Sequence, residues 1–129
     1  MEPPSHIQNV PHWEEQCRQI RARALDHVEG RLGVIETARA LCKLAFLTGL
    51  RDDEDLTTFI VIDSETAVLP VGDVREHWNE QALVQQDVEI SKAESFYRPL
   101  ALEAANRLVE RFEWSLEARR ARRDAGHAV

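Results

Sequence analysis

Between Leu83 and Phe112, apolar and near-apolar residues return every three or four positions: Leu83, Gln86, Ile90, Ala93, Tyr97, Leu100, Ala104, Leu108 and Phe112. A stripe that holds this rhythm for about eight turns specifies an amphipathic helix. A helix of roughly 36 residues would be about 54 Å long, more than the rest of a 129-residue chain can cover. Such a helix must bend back over its neighbours, or end in a surface for a second copy. Pro99 lies inside the rhythm, and an interior proline removes one hydrogen bond at a cost of about 3 kcal/mol. The stripe keeps the same face on both sides, which predicts a kink or short break at Pro99 and helical pattern to about Leu116.

The remaining segments read the same way. Pro11 opens a helix whose inner face is Trp13, Cys17, Ile20, Ala24 and Val28, with Gly30 as its stop. A second helix, from about Leu32 to Thr48 and closed by Gly49, is apolar on most sides and should be the central one. The short link at 30–33 makes the two an antiparallel hairpin, with Cys17 and Cys42 at similar heights, close enough for contact. In the acidic run Arg51-Asp52-Asp53-Glu54-Asp55, Asp52 is the expected cap of a third helix over about 53–63. Residues 1–9 read as a flexible lead-in, 10–116 as one helical domain, and 117–129 as a charged, frayed tail. The fold class is all-α: a compact bundle of four to five helices.

The stretch Phe59–Trp78, FIVIDSETAVLPVGDVREHW, breaks the helical pattern. Its β-branched start suits a strand, yet it keeps helical spacing and lacks a partner strand, so helix is the expectation. Pro70 biases Leu69 away from helical angles, giving an extended crossing near 64–72. Asp73 and Glu76 have the spacing of a capping box for a short helix through His77 and Trp78. The segment gathers Asp63, Ser64, Glu65, Arg75, His77 and Trp78, the candidate binding residues. A serine hydrolase would also need an oxyanion hole and a nucleophile elbow, and neither motif is present, so no catalytic residue is assigned.

Charge and motifs narrow the function further. The net charge is −7, but residues 115–129 carry a local +2, leaving −9 on residues 1–114. An acidic body argues against nucleic acid and anionic lipid and would attract a basic protein. Asp52, Asp53, Glu54 and Asp55 form the candidate acidic partner patch. That run lacks the alternating spacing of a calcium loop, the two cysteines do not make a zinc pattern, and no histidine pair has helical metal spacing. Phosphate-loop and dinucleotide fingerprints are absent, so no metal or cofactor is expected. No apolar run reaches the roughly 20 residues of a membrane span, and the N-terminus lacks a secretory pattern; a cytoplasmic location is the expectation.

The string IDSETAVLPVGDVREHW, followed by EISKAESFYRPLALEAANRLVERF and preceded by GRLGVIETAR, resembles a family of small, uncharacterised bacterial helical proteins over about residues 30–112. The resemblance implies a bacterial soluble domain and transfers no catalytic residues. Two functions fit. One is a non-enzymatic interaction module, such as an immunity protein or antitoxin neutralising a basic toxin. The other is a ligand-binding or enzymatic domain with a polar pocket at 63–78. A homodimer through the C-terminal helix fits either.

Overall fold

The computed structural model describes residues 1–127, which form five α-helices and one 3₁₀ turn with no strand among them. The helices are α1 (Val10–Val28), α2 (Val34–Thr48), α3 (Glu54–Glu65), α4 (Glu80–Arg111) and α5 (Trp114–His127), with the 3₁₀ turn at Gly72–His77. No helix among the described residues is long and apolar enough to cross a membrane.

Helix α1 starts where Asn9 Oδ1 accepts the His12 amide at 3.1 Å. Its expected face goes into the core, with Trp13, Cys17, Ile20 and Ala24 buried and Val28 packed at the margin. Trp13 Nε1 donates to the Thr48 carbonyl at 2.9 Å, pinning the start of α1 to the end of α2. Full burial of each large core side chain stabilises by about 1.5–3 kcal/mol, and Trp13, Phe59, Leu41, Ile62, Leu108 and Phe112 are among the largest of them. Helix α2 is central, touching α1, α3 and α4. Its last turn nevertheless faces solvent at Phe46 and Leu47, with the Arg51 guanidinium 5.8 Å from the Phe46 ring. Gly49 ends it at φ 72°. A side chain there would be strained, and its Cβ would lie 2.7 Å from His6 Cε1, so the lead-in rests against this cap.

The ambiguous run before Asp63 is helical, as its spacing predicted, and α3 continues to Glu65. Its cap is Asp53 rather than Asp52: the Asp53 carboxylate accepts the Asp55 and Leu56 amides at 3.0 and 3.2 Å. Beyond α3 the extended crossing is replaced by a turn, in which the Leu69 amide bonds the Thr66 carbonyl at 3.0 Å. Arg39 of α2 holds this turn in, donating to the Thr66 and Leu69 carbonyls at 2.9 and 2.8 Å. The Asp73 side chain makes no cap, and Asn79 instead caps α4 by accepting the Ala82 amide at 2.8 Å.

Helix α4 passes through Pro99 as one continuous helix, without the break the sequence suggested. Pro99 and Ser95 are both exposed, so the Ser95 carbonyl that loses its N–H partner lies on the solvent side of the helix, where an unmet acceptor costs least. The interruption falls at Phe112 and Glu113 instead, before α5. The segment expected to fray from residue 117 is helical to His127, with positions 128 and 129 outside the described residues. Three contacts hold α5 against α1: Trp114 stacks on Trp13 at 5.6 Å, Arg18 Nη1 donates to the Ser115 carbonyl at 3.0 Å, and Arg122 Nε donates to Glu14 at 2.8 Å.

Cys17 and Cys42 are both free thiols. Burial pushes Cys17 up to about 12, so it sits in the core as a small apolar side chain. Burial, then the Asp63 charge, also raises Cys42.

Candidate functional site

Six residues of segment 63–78 were the candidate binding group, and the fold sends them in different directions. Asp63 faces α2, where Arg39 Nη1 lies 3.0 Å from its Oδ1. Arg75 faces α4, donating to Asp87 Oδ1 at 2.7 Å and Oδ2 at 3.1 Å, with the Pro70 carbonyl at 3.1 Å. That hydrogen bond holds the Asp87 carboxyl below its ordinary range. Ser64, Glu65, His77 and Trp78 are exposed. Among the described residues no side-chain hydrogen bond or ion pair joins any two of the six. Asp63 and Arg75 are thus structural ties that fix the ends of the connector.

The acidic run divides similarly. Asp53 and Asp55 turn inward to α4, where Arg107 Nε donates to Asp55 Oδ1 at 2.7 Å and Arg111 Nη1 to Asp55 Oδ2 at 2.7 Å. Arg111 also pairs with Asp53. Burial works to raise Asp53, but the Arg111 hydrogen bond and the Leu56 amide outweigh it and hold the group below the usual carboxylate range. Only Asp52 and Glu54 stay exposed, so the quartet offers a partner two carboxylates.

A concavity lies between the end of α3 and the middle of α4. It is an open cleft of about 570 Å³, with Glu65, Val68 and Leu69 on one wall and Glu89, Phe96 and Tyr97 on the other. Phe96 meets Tyr97 edge-on at 4.9 Å. Glu65 is the one candidate residue that borders it. Sequence reasoning missed Val68, Leu69 and Phe96. The signal available was Phe96 itself, an aromatic one position off the core stripe marked by Ala93 and Tyr97.

The segment from the end of α3 to the start of α4 carries free charge. Glu65, Asp73, Glu76 and Glu80 are exposed and belong to no ion pair among the described residues. Interleaved with them are exposed Val68, Val74 and Trp78, with Val68 retaining 81 % of its accessible surface. Four unpaired carboxylates alternating with three apolar side chains can seat apolar anchors while attracting cations around them. The described residues contain no cluster of histidine, cysteine and carboxylate groups suited to a metal ion.

Comparison with known proteins finds no matching family model, curated protein or solved structure.

Proposed function

We infer that this chain is a non-enzymatic protein-interaction module whose partner presents a basic surface with apolar anchors. An immunity protein or antitoxin that covers a basic toxin is the instance that fits its size and charge. The observation carrying this reading is the connector after α3. Glu65, Asp73 and Glu76 are exposed and unpaired there, as is Glu80 at the start of α4, interleaved in sequence with exposed Val68, Val74 and Trp78; Glu65 and Val68 also line the cleft. Several acids elsewhere are tied to arginines of the same fold, as Glu14 is to Arg122, Asp26 to Arg31, and Asp53 to Arg111. Attraction across such a surface raises association rate and falls with ionic strength.

The test is capture of host proteins on the immobilised chain at low salt, repeated with the triple variant Asp73→Lys, Glu76→Lys, Glu80→Lys. A basic protein that is retained, released by salt and lost with the variant supports the reading. Retention of nothing basic, or equal retention by the variant, removes it.

A second reading rests on the cleft volume, which is in the range of small-ligand sites. It takes the cleft as a pocket for an apolar ligand stacked on Phe96 and Tyr97. Phe96→Ala should then abolish any ligand-induced rise in melting temperature found by screening.

A further inference from the structure

We propose, resting on the ligand-pocket reading and adding a charge to its ligand, that the cleft between α3 and α4 binds small organic cations. Such a ligand carries an ammonium or similar head on an aryl or alkyl body. The walls give the body its place. Val68 and Leu69 on one side face Phe96 and Tyr97 on the other across about 570 Å³, a volume that holds a whole small molecule. Phe96 keeps 76 % of its accessible surface and meets Tyr97 edge-on. An edge-on pair leaves ring surface uncovered, and the face of an aromatic ring attracts a cation.

The sign of the head follows from which charges the fold has already matched. Lys92 on the α4 wall is answered by Glu89, 3.4 Å away. Arg39, which reaches the Thr66 and Leu69 carbonyls from α2, is answered by Asp63. Glu65 lines the same cleft, is exposed, and belongs to no ion pair among the described residues. Its position is also unfavourable for the helix. Glu65 is the last residue of α3, and no basic residue stands in that last turn. The negative end of the helix dipole disfavours a carboxylate there and favours a cation. The backbone carbonyls of Asp63, Ser64 and Glu65 accept no hydrogen bond outside the helix among the described residues, which leaves that end electron-rich. A local rule broken without compensation inside the fold points to function. A cationic head between Glu65 and the aromatic pair supplies the missing compensation.

Three probes that share one body separate charge from apolarity: phenylbutylammonium, phenylbutanol and phenylbutyrate. Each is titrated into the full, isotope-labelled chain while amide chemical shifts are followed by NMR. The ammonium is expected to shift amides at 65–69 and 93–97 and to bind about fivefold more tightly than the alcohol, with the butyrate weakest. Glu65→Gln should bring the ammonium down to the affinity of the alcohol and leave the alcohol unchanged, whereas Phe96→Ala should weaken both. Glu65 and Phe96 are exposed, and unchanged helical circular dichroism verifies that both variants fold. An alcohol that binds as well as the ammonium, or an ammonium indifferent to Glu65→Gln, overturns the proposal and leaves the apolar pocket standing. Cleft amides that respond to none of the three probes remove the pocket together with the proposal.

Discussion

Glu94 caps a helix that begins 60 residues before it. Its Oε2 accepts the Val34 amide at 2.6 Å and its Oε1 the Ile35 amide at 3.4 Å. The α2 N-cap residue is Gly33, which has no side chain to do this itself. Negative charge at a helix N-terminus satisfies free amides and complements the helix dipole.

Glu94→Ala should therefore lower stability by about 1 kcal/mol, equivalent to a fall of about 4 °C in melting temperature. Gly33 has the extended backbone of an N-cap, at φ −71° and ψ 174°, and a Cβ there would lie 2.6 Å from Glu94 Oε1. Gly33→Ser should consequently be unfavourable in the natural chain and favourable once Glu94 is alanine. Thermal melts of the natural chain, the two single variants and the double variant check this; additive effects would show that Glu94 is not acting as the cap.

The Asp53–Asp55–Arg111 junction predicts acid sensitivity of a definite sign. Asp53 is held below its ordinary range in the fold. Its contribution is complete above the unfolded-state value near 4 and is lost as pH falls through the lower folded value. Arg111→Ala should cost about 1–3 kcal/mol at neutral pH, since Asp55 is nearly buried and keeps only Arg107. It should also flatten the stability decline between about pH 4 and pH 2. Urea titrations across that range measure both effects, and an unchanged acid slope would contradict this assignment.

Arg75 and Asp87 predict a change in mobility with little change in stability. Their ion pair and the Pro70 carbonyl hold the 3₁₀ turn to α4. Asp87→Ala should make trypsin cleave after Arg75 several-fold faster. The melting temperature should hardly move, because exposed ion pairs contribute little. Time-resolved digestion with mass spectrometry locates the cut; protection equal to that of the natural chain would mean the pair does not restrain the connector.

Helix identity was written locally, and most of it could be read. The α1 face of Trp13, Cys17, Ile20 and Ala24 follows from spacing, and Gly30 and Gly49 do close their helices with positive φ. What escaped depended on partners distant in sequence. Arg122 looks like part of a solvated tail until Glu14, 108 residues away, is placed beside it. Asp63 and Arg75 look like one polar corner because they are close in sequence, yet Arg39 and Asp87 draw them to opposite neighbours. Pro99 looked disruptive although the stripe itself puts position 99 on the opposite, wet face of α4, where the helix tolerates it.

Trp78 gives this molecule a built-in optical probe. Trp13 is buried and Trp114 is half-covered in the stack beside it, whereas Trp78 stands exposed between Glu76 and Glu80. The first two indoles should emit as a shielded, nearly constant background. Long-wavelength emission accessible to aqueous quenchers then belongs chiefly to Trp78, so occupation of the connector can be followed by the protein's own fluorescence, without a label.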